Sequence, residues 1–413
     1  MAKSDKLPNN IVASFFLMLC IMGFFAILSS TMSKNPVLNP FAKFIGTPEP
    51  LLGFIAAAST IPGIIVSLPA GKLSDIIGRK KILLLSSIIF ASAPFLYLFI
   101  TSPWQLFLVR FYHGFATAMF VPVANAAIAE KFPSDKGAKM STFSSITIVG
   151  RIIAPALGGY ILSGGYILPK INWNYHGLYI AVGIAGTCAL FTALMLFGKE
   201  SPKKIPQKSS ENKNSSPSTF GNWRKVANVG LVEAAQYYTF GAYEFYLVDY
   251  ATSPKIGLDA LSIGIVAGAQ LAAIALVKPF AGRVSDKAGR KTPIVAGLII
   301  GSVPLIITPF ASSFFELLLV SIVYGIGFSL VTSSTGPLVS DMVSKDAYGS
   351  ALGFLSTIMD VGQTLGPIIT GFIFATTLGY FGAFGSLGII LLVISLVFSL
   401  QHVIKKDISK TSS

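Results

Sequence analysis

Twelve apolar runs, each about 20 residues long, recur along the 413-residue chain and limit what it can fold into. A helix needs about 20 apolar residues to cross the hydrocarbon core of a bilayer. Only 12% of the residues are charged, whereas a soluble domain usually has about 25%. The sequence therefore predicts an all-α membrane protein with twelve transmembrane helices. The predicted spans are 11–32, 51–70, 82–101, 104–129, 140–165, 176–198, 225–250, 259–281, 293–311, 313–338, 349–374 and 378–402.

Lysine and arginine are distributed unevenly over the segments that connect the spans. If the N-terminus is cytoplasmic, 24 of the 31 Lys and Arg residues lie on the cytoplasmic side and four lie outside. Cytoplasmic loops of membrane proteins carry such an excess. We therefore expect a multi-pass protein of the inner or plasma membrane, surrounded by lipid, with both termini in the cytoplasm. This topology accounts for the net charge of +14 without nucleic acid as a partner.

A polar stretch rich in Ser, Lys, Asn and Pro separates the first six spans from the last six. Such a composition is typical of a linker. We expect an N-terminal six-helix bundle at 1–198, a cytoplasmic linker at 199–224, and a C-terminal six-helix bundle with a short cytoplasmic tail at 225–413.

The two halves repeat each other. Five residues of the loop after span 2 recur 211 positions later in the loop after span 8, and a Gly/Pro segment of span 5 recurs 212 positions later in span 11. A register kept over so many residues indicates a duplicated six-helix unit. The loop residues are Gly71, Asp75, Gly78, Arg79 and Lys80 in the first half and Gly282, Asp286, Gly289, Arg290 and Lys291 in the second. The Gly/Pro residues are Gly150, Pro155, Gly158 and Gly159 in span 5 and Gly366 and Pro367 in span 11.

These residues resemble the major facilitator superfamily, whose hallmark is a G-x-x-x-D-x-x-G-R-K/R-type loop after the second helix of each half. The resemblance covers both loops, the twelve spans and the central linker. Residues 106–114 are similar to the family's second motif, with Arg110 as its membrane-embedded arginine. Span 5 is similar to the Gly/Pro motif of the drug:proton antiporter branch, with Ala154 where that motif prefers Gly. The resemblance implies the major facilitator fold, in which two pseudo-symmetric six-helix bundles rock about a central site.

The repeated loop residues are candidates for a gating latch. Gly78 and Gly289 permit tight turns between closely linked helices. Asp75 and Asp286 can accept hydrogen bonds at the N-terminus of a neighbouring helix, where the helix dipole favours an anion. The loop cations can pair with acids such as Glu130 and Asp135; these cations are Arg79, Lys80, Arg290 and Lys291. The alternative is that the cations only set the topology.

The Gly/Pro segments predict close contact between helices. Gly150, Ala154 and Gly158 are four residues apart and form a groove of small residues on one helix face. Pro155 and Pro367 interrupt the backbone hydrogen bonds of their helices. Ordinary packing is one interpretation of these residues, and a hinge between the halves is the other.

Ionisable residues inside a span are costly in lipid, and they usually face a cavity or a partner. The candidate substrate and proton-coupling residues are Arg110, His113, Arg151, Glu233, Gln236, Tyr237 and Asp360. The family resemblance implies that the first, fourth, seventh and tenth helices line the cavity, which favours Arg110, Glu233 and Tyr237. The alternative for Arg110, Arg151 and Asp360 is a structural ion pair. Lys278 is expected to extend towards the membrane surface, and Asp249 and Glu316 are expected to be solvated.

The sequence contains no nucleotide-binding motif, no nucleophile–base pair within the spans and no metal-ligand cluster. We therefore expect neither an enzyme nor a bound cofactor or metal, and an ion gradient as the energy source. Buried carboxylates are suited to protons. The prediction is a monomeric secondary transporter that moves a small organic solute by alternating access with proton coupling, and the span 5 motif favours export.

The alternative function is proton symport that imports an organic anion or a sugar. Span 1 carries no acidic residue, unlike many exporters of the resembling branch. Three cations, Arg110, Arg151 and Lys278, lie within the spans and favour an anionic solute.

Overall fold

A computed structural model describes residues 9–164, 174–197, 223–344 and 348–411. Side chains at 9–13, 67–73, 75, 223–224, 348–350 and 401–411 lie outside the description, as do residues 199–222 of the linker predicted at 199–224. The helices are α1 (Asn9–Met32), α2 (Leu38–Phe44), α3 (Glu49–Ala57), α4 (Ile61–Ile77), α5 (Arg79–Leu96), α6 (Pro103–Lys131), α7 (Lys136–Leu162), α8 (Tyr175–Phe197), α9 (Trp223–Thr252), α10 (Ala260–Ala288), α11 (Lys291–Ile307), α12 (Phe314–Ser340), α13 (Tyr348–Phe374) and α14 (Gly379–Thr411).

Eleven segments of the described residues are helical, long and apolar enough to cross a membrane. Helix α9 is not among them, although its 30 residues span about 45 Å. Its sequence is more polar than those of the eleven because it includes Glu233, Gln236 and Glu244. When α9 is included, the number of transmembrane segments among the described residues is twelve, as the sequence predicts.

The second span is interrupted, which the sequence analysis did not anticipate. It was expected to be one helix over 51–70, but α3 ends at Ala57 and α4 begins at Ile61. Pro62 lies in the first turn of α4, and its missing N–H cannot continue the hydrogen-bond ladder of α3. The break exposes backbone and side-chain polar groups of 58–60 to neighbouring helices.

The internal repeat extends to local backbone structure. Helices α5 and α11 both contain a proline near their ends, Pro94 and Pro304. Each is followed by a 3₁₀ turn, at Tyr97–Phe99 and at Thr308–Phe310. The two turns are 211 residues apart, which is the offset of the repeated loops. The two halves therefore share the course of the backbone as well as the motif.

Close helix contacts join the two halves on one side of the molecule. We call the side with the turns at Gly78 and Gly289 the loop side, and the opposite side the far side. Helices α7 and α10 touch on the far side, where a Cβ at Gly159 would overlap the carbonyl oxygen of Ala260. Helices α3 and α13 are equally close, because a Cβ at Gly53 would overlap the Pro367 carbonyl oxygen. These contacts bring the halves together on the far side.

The Gly/Pro residues have different neighbours. Gly150 and Gly158 of α7 face α1 and the residues just after it, within the first half. Gly159 and Pro155 face α10, across the boundary between the halves. Gly366 lies against the Tyr238 backbone of α9. Both segments thus act in close packing, and a hinge role stays a prediction.

We predict that Gly159→Ala lowers the thermal unfolding midpoint of the purified protein. The added methyl group would force α7 and α10 apart, and such overpacking typically costs about 1–3 kcal/mol. Gly385→Ala is the matched control, because a Cβ at Gly385 in α14 would meet nothing within 4 Å. Since alanine favours a helix more than glycine does, the control should be as stable as the wild type or more so. Equal midpoints for the two variants would contradict the close contact.

Candidate substrate and coupling site

The two repeated loops form the same ion pair in each half. Arg79 Nε donates to Glu130 Oε2 at 2.5 Å, and this pair joins the start of α5 to the end of α6. Arg290 Nε donates to Asp341 Oδ2 at 3.3 Å in the second half. Arginines and acids are both 211 positions apart. Each ion pair lies within one half. It connects the loop to α6 in the first half and to the end of α12 in the second.

The remaining loop residues are placed as follows. Gly78 and Gly289 have positive φ values of 102° and 82°, which glycine adopts without steric cost. Arg290 also donates to Asp286. This hydrogen bond, and to a smaller extent the one to Asp341, raises the pKa of Arg290. Lys80 Nζ lies 5.8 Å from the Phe197 ring centroid. Gly282 lies near the end of α10, and Lys291 begins α11. Asp135 takes no part in the ion pairs of the described residues. The surroundings of Gly71 and the side chain of Asp75 lie outside the description.

Glu233 is the centre of a buried polar cluster on α9. Its side chain is 3% exposed, and its Oε1 accepts a hydrogen bond from Thr335 Oγ1 of α12. Its second carboxylate oxygen has no partner among the described residues. Lys278 of α10 lies close enough to interact electrostatically with Glu233. Lys278 is itself exposed, as expected of a side chain that extends towards the membrane surface, and it borders the site.

The first half contributes a cation to this cluster. Arg151 of α7 is exposed and lies within electrostatic range of both Lys278 and Tyr237. Tyr237 also lies within range of Glu233 and of Asp360 of α13. The cluster thus combines two cations, two acids and a tyrosine from both halves.

Aromatic side chains and an unpaired amide border the cluster. The Tyr237 and Phe328 ring centroids are 5.3 Å apart, and those of Phe240 and Phe328 are 4.7 Å apart. Gln236 is fully buried, and neither its amide nitrogen nor its oxygen has a partner among the described residues. An arrangement with charged, aromatic and unpaired polar groups is typical of a binding site for an organic solute.

Arg110 and His113 lie in a different environment. Arg110 is 2% exposed, and its Nη2 donates to Ser59 Oγ at 2.6 Å, in the break of the second span. His113 Nδ1 lies 3.5 Å from the Tyr97 hydroxyl oxygen. The structural ion pair considered as the alternative for Arg110, Arg151 and Asp360 is not among the ion pairs of the described residues.

Ion pairs close the far side of the molecule between the halves. Lys34 Nζ lies 3.1 Å from Glu244 Oε2, and Lys43 Nζ lies 2.5 Å from Asp249 Oδ1. Tyr380 also donates to Asp249 Oδ2 at 3.2 Å. The expectation that Asp249 is solvated is wrong, because the residue is 3% exposed. Sequence reasoning missed these pairs because more than 200 residues separate the partners. The available signal was that lysines are rare in the predicted outer segments, so Lys34 and Lys43 stand out there.

Comparison with known proteins agrees with this architecture. The family model described as Major Facilitator Superfamily matches residues 11–253 and again residues 229–411. The chain belongs to the major facilitator superfamily. It is therefore a transmembrane transporter and not an enzyme, and the predicted family is confirmed.

Individual relatives cover most of the chain. It is 26% identical over 342 residues to the quinolone resistance protein NorA of Staphylococcus aureus, a match that covers 82% of this chain and 84% of NorA. It is 25% identical over 349 residues to the uncharacterized MFS-type transporter MJ1560 of Methanocaldococcus jannaschii, with 82% and 86% covered.

A solved structure confirms the fold. It is described as a bacterial homolog to the human lysosomal transporter Spinster, in an inward-facing and occupied conformation. The TM-score is 0.76, the sequence identity is 16%, and the match covers 95% of this chain and 96% of the other. The predicted major facilitator fold, with twelve transmembrane helices in two pseudo-symmetric bundles, is therefore confirmed.

We predict that the Lys43–Asp249 pair stabilises the folded protein more than the Lys34–Glu244 pair does. Lys43 is more exposed than Lys34, at 36% against 19%, but the Asp249 side chain is 4% exposed and that of Glu244 is 9% exposed. The more buried acid is the more costly charge to leave behind when its lysine is removed. Double-mutant cycles with Lys→Gln, Asp→Asn and Glu→Gln, followed by thermal unfolding, would give the two coupling energies. We expect about 1–3 kcal/mol for Lys43–Asp249 and less for Lys34–Glu244. A coupling energy of zero at Lys43–Asp249 would contradict the closed far side.

Proposed function

We propose that this transporter exports a small organic solute in exchange for protons, with Glu233 as the proton-coupling residue. The observation that carries the proposal is the cluster at the boundary of the halves, in which the buried carboxylate lies near Lys278 of its own half and Lys278 lies near Arg151 of the other half. Glu233 and Tyr237 are on α9, Lys278 is on α10 and Arg151 is on α7. Helix rearrangement would change the distances between these groups.

Charge burial gives the coupling its physical basis. An ionised carboxylate that is buried without a cation is costly, so it binds a proton when its cation moves away. Lys278 is within electrostatic range of Glu233 on the present arrangement of helices. A rocking motion that carries Arg151 of the first bundle away from Glu233 and Lys278 of the second would favour proton uptake by Glu233, and the reverse motion would favour release.

For this cycle we place the protein in the inner or plasma membrane. The loop side and both termini then face the cytoplasm. The excess of Lys and Arg on the loop side supports that orientation. In the present arrangement the far side is closed, so the site would open to the cytoplasm. The moving units would be the bundles at 1–198 and 225–413, connected by a linker at 199–224, and the functional unit would be a monomer. The loop pairs of Arg79 and Arg290 would act as latches in the cycle.

The direction of transport is proposed from a relative. The name of the NorA protein of Staphylococcus aureus describes resistance to quinolones, which is consistent with removal of a compound from the cell. The Gly/Pro segment of α7 resembles the motif of the drug:proton antiporter branch. Both observations favour export of an organic compound.

We predict that Glu233→Gln abolishes transport that is driven by a proton gradient, because an amide cannot take up and release the coupling proton. Exchange of solute down its own gradient should persist, since the side chain keeps its size and can still accept from Thr335. The measurement uses purified protein in liposomes with an imposed pH gradient and a panel of lipophilic cations, organic anions and sugars.

Glu316→Gln provides the control in this assay. Glu316 is exposed at the start of α12, where its carboxylate accepts from Ser312, and it lies outside the cluster. Full accumulation by Glu316→Gln is expected. If Glu233→Gln still accumulates solute against a gradient when only protons drive transport, the assignment fails, and Asp360 becomes the next candidate.

Import of an organic anion by proton symport is the second candidate function. The two cations of the cluster, Arg151 and Lys278, favour it because they lie close together and could hold a carboxylate or a phosphate. An exported anion would use the same cations. The class of solute and the direction of transport are therefore separate questions.

We predict that Arg151→Gln weakens binding of an anionic solute by at least about tenfold, the loss expected for one charge-assisted hydrogen bond. Arg151→Lys should retain part of the affinity because it keeps the charge. Binding would be measured by titration calorimetry with the anion and with a lipophilic cation as a paired ligand. If Arg151→Gln leaves anion affinity unchanged, or lowers cation affinity equally, the anionic solute is ruled out.

A further inference from the structure

Arg110 is a buried cation without a counter-charge. Its side chain is 2% exposed, and it appears in none of the ion pairs of the described residues. A guanidinium stays charged in a protein, so it cannot escape the cost of burial by losing a proton. The groups within electrostatic range are the side chains of Tyr97, His113 and Tyr179. None of these three is an acid that normally carries a negative charge near neutral pH.

The hydrogen-bond donors around Arg110 are incompletely used. Arg110 donates from Nη2 to Ser59 Oγ and lies within hydrogen-bonding reach of the Tyr97 hydroxyl, but its Nε has no partner among the described residues. The Tyr179 hydroxyl and His113 Nε2 are buried and equally without partners. If the Tyr97 hydroxyl donates to His113 Nδ1, a neutral His113 carries its proton on Nε2 and becomes a third unused donor. The unused groups are then all donors.

Aromatic contacts hold these groups in place. The Tyr97 and Tyr179 rings are stacked with centroids 4.3 Å apart and planes 5° from parallel. His113 lies one turn after Arg110 on α6, and its ring centroid is 6.1 Å from that of Tyr97. A cation surrounded by fixed and unused N–H and O–H groups has the chemistry of an anion site.

The second half shows that the fold does not require this charge. The position 211 residues after Arg110 is Ser321 of α12. Its Oγ lies 3.0 Å from the Tyr243 hydroxyl, so two neutral groups satisfy each other there. Gly114 and Gly325, four positions later in each helix, keep the register. The arginine is therefore a feature of the first half alone, and the packing of the repeat does not explain it.

We propose that Arg110, with Tyr179 and His113, binds a small monovalent anion inside the first bundle. The anion would supply the counter-charge that the described side chains lack. The anion is either a free halide or a small carboxylate, since both accept hydrogen bonds from N–H and O–H groups. This site differs from the cluster around Glu233, so it does not depend on the function proposed above.

The test begins with the wild-type protein, purified in lipid nanodiscs and equilibrated in sodium gluconate. Sodium bromide or sodium acetate replaces gluconate stepwise at constant ionic strength, and the thermal unfolding midpoint is recorded. An anion that binds the folded state raises the midpoint in a saturable way. Saturation with bromide supports a halide site, and saturation with acetate alone supports a carboxylate site. The same midpoint in all three salts overturns the proposal.

Variants then locate the anion. Tyr179→Phe keeps the ring on Tyr97 but removes a donor, and it should weaken anion binding by about tenfold or more. Tyr243→Phe is the matched control, because it removes a buried hydroxyl at the equivalent neutral pair, and it should bind the anion as the wild type does. Arg151→Gln changes the separate cluster around Glu233, so it tests whether the dependence of the midpoint on the anion comes from that cluster instead. Unchanged affinity in Tyr179→Phe, or loss of binding in Arg151→Gln, would place the anion elsewhere and overturn the assignment.

Discussion

The cost of charge in a low-dielectric interior organises this transporter. An ionisable group that is buried within the spans, such as Glu233 or Arg110, must be neutralised, paired or held by hydrogen bonds, because water does not reach it. The structure uses a different solution at each level of the molecule. Ion pairs between the halves close the far side, ion pairs within each half fasten the repeated loops, and a mixed cluster of cations and acids lies at the boundary. Movement of the halves must therefore rearrange charges, and this is the physical link between conformation and ion binding.

Duplication supplies the framework, and departures from it indicate function. The loop ion pairs, the glycine turns and the 3₁₀ turns recur at one offset, so they belong to the common scaffold. Arg110 and Ser321 break the repeat, as do Arg151 of α7 and Asp360 of α13, which have no charged equivalent in the other half at an offset of 212. A charge that only one half carries is not needed to build the bundle. It is more economically explained by what the protein binds.

Much of the fold follows from local sequence patterns. Long apolar runs determine helices, since a backbone in lipid must satisfy its own hydrogen bonds. The broken second span was missed because Pro62 lies near the start of a helix, where proline is well tolerated and gives no strong signal. Lys278 was interpreted as a residue that extends to the surface, and only its proximity to Glu233 shows that it joins the central cluster.

The sequence by itself determined the membrane class, the twelve helices, the duplication and the family, because these depend on composition and on spacing along the chain. It also identified the costly residues, such as Glu233 and Arg110. Only the tertiary structure decided which of them meet. Lys43 and Asp249 are 206 positions apart, and Arg110 and Ser59 are 51 apart, yet each pair is in contact. Interaction energy falls with distance in space, and helix packing sets that distance, so no pattern along the chain could reveal the partners.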